Sequence, residues 1–172
     1  VTSEIEEYPY QVIEDFDEFS IRQYESRLFI SVSMKENVYE KSSRKGFSTL
    51  AGYIFGGNSK NEKIAMTSPV SISLQDTMTM MFMIPKKYQK ESLPKPNVSE
   101  IEFKEEKIKR VAVVQFGGWA SSEKIDQEKK KLKKLLNQQN ISHTNKFYFL
   151  GYNPPFEVFN RKNEIIVELQ TK

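Results

Sequence analysis

The sequence predicts an α+β domain: a distorted, curved antiparallel sheet or barrel of about eight strands, with two helices laid over it. Three observations carry this expectation. Segments of apolar–polar alternation recur along the chain, and two other stretches repeat apolar residues every three to four positions. The order strands, helix, two strands then occurs twice, on either side of a Pro- and Lys-rich link. The 172 residues are therefore expected to form one domain with an internal repeat, its halves at about 10–84 and 100–169.

The elements follow in order. "YQVIEDFDEFSIRQYES" reads as two antiparallel strands around an acidic turn near Asp17-Glu18. "LFISVSM" places Leu28, Ile30, Val32 and Met34 on a dry face, with Phe29, Ser31 and Ser33 on a mostly polar one. Over 38–55 the period changes: Phe47, Leu50, Ala51 and Ile54 make one helical stripe, and Gly56-Gly57 supplies the C-terminal stop. "VSISL" and "MTMMFMIP" are the next strands, the second ended by Pro85. After the link at 85–98, "IEFKEEKIKRVAVVQFGGW" reads as a strand pair and 122–139 as a helix with Ile125, Leu132, Leu135 and Leu136 inward. "KFYFLGY" and "EIIVEL" close the second repeat.

Composition excludes several functions. The chain has no cysteine and one histidine, so thiolate catalysis, disulfides and a conventional zinc centre are out. No run approaches the ~18 consecutive apolar residues of a membrane helix. Net charge is +3 with the two signs interleaved, too weak a balance for a nucleic-acid partner. The densest basic run, "EKKKLKKLL" at 128–136, carries Leu132, Leu135 and Leu136 at helical spacing, so its lysines read as the wet side of an amphipathic helix. The first residue is Val1; a cytoplasmic chain and one exported after loss of a signal peptide are both open, since a protein without thiols folds in either compartment.

No catalytic constellation emerges. Ser68, in "KIAMTSPV", lacks the glycines of a nucleophile elbow, and His143 is expected in a distant polar loop. Met78, Met80, Met81 and Met83 resemble a soft-metal set, but neighbours on a strand point to opposite faces, so core filling is the expectation. The acids between Glu4 and Glu18 sit among turn residues, and neither "FGGN" nor "FGGW" has the spacing of a phosphate loop. The chain is expected not to be an enzyme.

What remains is apolar surface beside cations. Phe156 and Phe159 sit on the two-proline loop "GYNPPFEVFNRKNE", followed by Arg161 and Lys162, and either stand outward or fold in to cap the barrel; Arg44 lies one turn before Phe47. An apolar platform with a cationic rim suits a flat, greasy molecule carrying carboxylates.

At this point the sequence resembles the SOUL haem-binding protein family. The likeness runs from about Tyr10 to Leu169 through "FSIRQYES", "GFSTLAGYIFGGN", "KIAMTSPV", "MMFMIP", "VVQFGGWA" and "GYNPPFEVFNRKNEI". It implies a distorted antiparallel barrel with two helices in pseudo-twofold arrangement, a fold shared with bacterial multidrug-sensing, gyrase-inhibitor-like domains. It also implies a haem or porphyrin binder, a carrier or buffer, rather than a catalyst. The implied cofactor-binding residues are Arg44, Phe47, Leu50, Ala51 and Ile54 on the first helix, with Phe156, Phe159, Arg161 and Lys162 on the loop. Two positions depart from the family: Ala51 is small where some members carry a bulkier side chain, and the first half has no histidine to ligate iron. Binding is thus expected to be non-covalent; it needs no protein axial ligand, and any iron ligation would fall to Met, Tyr or the distant His143. The alternative is a small-ligand sensing or protein-interaction module that does not use haem.

Overall fold

The computed structural model describes residues 5–36, 38–153 and 161–170. Nine strands and two helices follow in the order β1 (Tyr10–Asp15), β2 (Ser20–Tyr24), β3 (Arg27–Ser33), α1 (Tyr39–Ile54), β4 (Val70–Ser73), β5 (Thr79–Met83), β6 (Glu102–Glu106), β7 (Lys109–Phe116), α2 (Ser122–Gln138), β8 (His143–Gly151) and β9 (Asn163–Leu169). All the strands join one curled antiparallel sheet in the order β1-β2-β7-β9-β8-β4-β5-β3-β6. Without β1 that order reads symmetrically about the β8–β4 pair, each strand of one half matched by its counterpart in the other. The expected α+β barrel is present, with nine strands in place of eight: β1 stands outside the repeat, hairpinned onto β2 at the sheet edge.

The helices form where the 3.6-residue stripes lie, and both cover the same side of the sheet, α1 over β3 and β5 and α2 over β7, β8 and β9. Phe55 caps α1, and Gly56 then takes φ +116°. Gly57 approaches so closely that a Cβ there would lie 2.6 Å from the Gly52 carbonyl oxygen. The helices also meet at their N-termini. The Tyr39 amide donates to Ser122 Oγ at 3.3 Å, while the Ser122 amide donates to Glu40 at 2.9 Å and its hydroxyl donates to the same carboxylate. Those contacts hold Glu40 below the usual carboxylate range.

The sheet is dry on both faces, where alternation predicted one dry face for β3. Ile30, Val32, Met80, Phe82, Val114 and Ile165 pack under the helices. Phe29, Met81, Met83, Val111, Tyr148 and Ile166 form a second core on the other side, joined by Tyr8 and Tyr24. Met80 and Met81 thus fall in different cores, as strand geometry requires. Curling of the sheet makes room for this second core, and the N-terminal segment helps to cover it: the Tyr8 amide donates to the Ser68 carbonyl at 2.9 Å.

The main buried charges find partners there, although among the described residues the Tyr8 hydroxyl and Arg22 Nε have none. Arg22 and Glu164 form a two-pronged ion pair at 2.9 and 2.7 Å. The Tyr152 hydroxyl and the Gln115 amide donate to the same carboxylate at 2.7 and 2.9 Å. The guanidinium also rests 4.0 Å from the Tyr10 ring centre.

A recess beside the first helix

The residues weighed for chemistry and set aside have structural partners. Thr67 is buried and its hydroxyl donates to the Met83 carbonyl at 2.6 Å. Ser68 precedes a cis peptide to Pro69, and its amide donates to the Glu6 carbonyl at 3.0 Å. "KIAMTSPV" thus carries the chain from helix to strand, with Met66 packed against the core. His143 opens strand β8 instead of lying in a loop, its Nδ1 2.6 Å from the Thr144 carbonyl oxygen. Among the described residues no group of three or more His, Asp or Glu side chains could hold a metal ion, and no helix is long and apolar enough to cross a membrane.

The helical stripe singled out in the sequence faces the sheet. Leu50 and Ile54 are 0% and 2% exposed, and Ala51 is buried with them in the core under α1. Phe47 is half-buried, its ring edge-on to Phe82 at 5.3 Å, and Arg44 is exposed. Phe156 and Phe159 lie outside the described residues. The ends of that loop are described. The Arg161 guanidinium stacks 4.1 Å from the ring centre of Trp119, which is 55% exposed. Burial raises the Tyr39 hydroxyl pKa, and the Arg161 charge pulls against it, so the loop returns close to the first turn of α1. Lys162 instead lies over Tyr152, its Nζ 4.2 Å from the ring centre.

The concavity beside α1 lies on a different flank of the helix. A recess of about 300 Å³ opens between the N-terminal half of α1, the end of β3 and the segment around Val98. Val32, Met34 and Val98 supply its apolar wall, and Lys35, Lys41 and Lys45 edge it. Glu36 and Glu100 also line it, leaving the rim positive by one charge. None of the five helix residues expected at the site contributes to its wall. Phe47 and Ala51 are each two residues from a lining position, Lys45 or Thr49, which is roughly 200° around a helix of 3.6 residues per turn.

The recess exists because the flank facing it is small. Ser42, Gly46 and Thr49 recur at near-helical spacing, and the Ser42 hydroxyl turns back to donate to the Glu36 and Val38 carbonyls at 2.7 and 3.1 Å. Gly46 lies against Met80, where a Cβ would sit 3.4 Å from the methyl end of its side chain. These small residues, interleaved with two lysines four apart in "KSSRKGFST", were the signal available in the sequence. Chemically the recess offers an apolar floor, ammonium donors, two carboxylates and the hydroxyls of Ser33, Ser42 and Thr49, and no imidazole.

Comparison with known proteins covers the whole fold. The sequence profile described as SOUL heme-binding protein matches residues 5–168. Heme-binding protein 1 of Xenopus laevis is 29% identical, over 86% of this chain and 81% of that protein. Heme-binding protein 2 of Homo sapiens is 29% identical, over 86% of this chain and 76% of its own length. Among solved structures, the EcmrR C-terminal domain superposes with a TM-score of 0.66 at 11% identity, covering 95% of this chain and 99% of that one, a likeness of fold.

Proposed function

Because the chain belongs to the SOUL heme-binding protein family, we propose that it binds a haem or related porphyrin and catalyses no reaction on it. The observation that carries this reading is the recess on α1, where an apolar floor meets a rim of lysines. Its volume, about 300 Å³, is at the lower end of small-molecule sites (~300–1,000 Å³). It therefore takes part of a macrocycle, the remainder lying over the rim. Apolar area removed from water at ~25 cal/mol/Å² drives the contact, and Lys41 and Lys45, on successive turns of α1, pair with the carboxylates.

The residues fit a porphyrin held by shape and charge. Met34 is the one soft side chain in the described wall, so iron is not the main source of affinity. Haem would bring redox and gas-binding chemistry; this chain's part is to bind the ring and keep its apolar body out of water. Arg44 and Phe47 on the opposite flank, with Arg161, Lys162, Phe156 and Phe159 on the loop, make up a second, alternative seat for the same ligand.

Titration with haemin and with metal-free protoporphyrin, followed by the Soret band and Trp119 fluorescence, tests the reading. Both ligands should saturate at micromolar protein. Reversing Lys41 and Lys45 to Glu should weaken binding roughly tenfold, the loss of two partly exposed charge contacts. Arg44→Glu should weaken it less if the recess is the main seat. Absence of a saturable change with either porphyrin overturns the proposal.

A further inference from the structure

A second recess lies beside α2, on the helix-covered side of the sheet but away from α1. It measures about 470 Å³ and is lined by Leu74, Gln75, Asp76, Lys129, Lys133, Asn145 and Phe147. Its distinctive feature is a pair of like charges held together. Lys129 and Lys133, one helical turn apart, place their Nζ atoms 4.9 and 5.4 Å from the centre of the same Phe147 ring. That ring belongs to a residue only 1% exposed, so the platform under both ammoniums is fixed by the core. Two other lysines of α2 are neutralised four residues away, Lys124 by Glu128 at 3.4 Å and Lys130 by Asp126 at 3.0 Å; Lys131 and Lys134 have no aromatic platform among the described residues. Among the described residues neither Lys129 nor Lys133 makes an ion pair.

Two cations on one ring repel each other, and a multiply charged anion between them relieves that repulsion. Gln75 and Asn145 add neutral amide donors to the same wall, whereas Asp76 opposes an anion, so the ligand must carry enough charge to outweigh it. We propose that this recess binds a phosphate monoester dianion, its oxygens taken by Lys129 and Lys133 with amide donors from Gln75 and Asn145. The lowered pKa of Lys129, caused by desolvation and then by Lys133, agrees with a site whose charge is balanced by a bound anion. The position is separate from the recess on α1, with which it shares no lining residue.

The test uses inorganic phosphate as the probe, read by phosphorus NMR line width and by thermal shift. The variants are Lys129→Ala with Lys133→Ala and, as an equal-charge control, Lys130→Ala with Lys131→Ala, both surface pairs on the same helix. Saturable broadening is expected in the parent and the control pair, with affinity reduced roughly tenfold or more in the first pair by loss of two charge-assisted contacts. A second arm adds phosphatidylcholine vesicles doped with phosphatidic acid. Co-sedimentation that free phosphate competes away assigns the group to a lipid headgroup, and free-phosphate binding without co-sedimentation assigns it to a soluble ester. Equal loss in the two double variants, or no saturation in the parent, overturns the proposal.

Discussion

Arg22 and Glu164, 142 positions apart in the chain, meet inside the second core at 2.7 and 2.9 Å with side-chain exposures of 4% and 0%. Strands β2 and β9 both flank β7, and this pair ties them across it. Breaking a buried pair on one side leaves an uncompensated charge, so Arg22→Met should destabilise by ~3–5 kcal/mol. Arg22→Met with Glu164→Leu should recover most of that loss. Urea unfolding midpoints at constant m-value measure both.

Burial governs the tyrosines of this second core, and Tyr53 in the core under α1. Desolvation raises Tyr8, Tyr148 and Tyr152 far above the ordinary phenol, and Tyr24 and Tyr53 to about 12. Unfolded tyrosines ionise near pH ~10, so the stability these groups contribute is intact below that value and is lost as pH climbs toward the folded values. Absorbance at alkaline pH should show these phenols ionising together with loss of the native circular dichroism. Smooth, reversible ionisation of all the tyrosines near pH ~10 in a still-folded chain would contradict the packing described.

Leu50 separates core packing from ligand contact. With 0% exposure it lies under α1, so Leu50→Ala should cost ~2–5 kcal/mol in unfolding free energy. At temperatures where the variant is fully folded its haemin affinity should stay within a few-fold of the parent. A large affinity loss with little change in stability would place Leu50 at the ligand instead.

The wall of the first recess can be filled from its rim. Thr49→Trp should lower porphyrin affinity while leaving the melting temperature nearly unchanged, because Thr49 is only partly buried. Gly46→Ala should change stability little: a gain of up to ~1 kcal/mol in helix propensity is set against a Cβ 3.4 Å from the flexible end of Met80. Melting curves and haemin titrations on the two variants check both statements.

Local periodicity carried much of the fold. Phe47, Leu50 and Ile54 mark the inner side of α1, and Ile125, Leu132 and Leu136 that of α2, because a helix packed on a sheet must bury such a stripe. The second core was hidden by residue type: Ser31, Arg22 and Tyr24 look like an outer face until the curled sheet encloses them. β1 was legible as the first arm of the hairpin around Asp17-Glu18; only the total of about eight fell one short, since β1 belongs to neither repeat. The recess on α1 was missed for a related reason. Apolar spacing finds what a helix turns inward, whereas Lys41, Ser42, Lys45, Gly46 and Thr49 look like ordinary solvent-facing residues. The small side chains among them leave a hollow only because Met34 and Val98 wall it from the neighbouring segments.

The pairing of β2 with β7 and of β3 with β6 means that each half of the chain hands its first strand to the other. Two residues separate β2 from β3, and two separate β6 from β7, so the exchange takes place across a short pair of crossing links. Cleavage in the 85–98 connector would consequently yield fragments that are incomplete alone and complementary together. Each would present the raw border of its sheet until the other arrived, and co-refolding, not separate refolding, would restore a soluble whole.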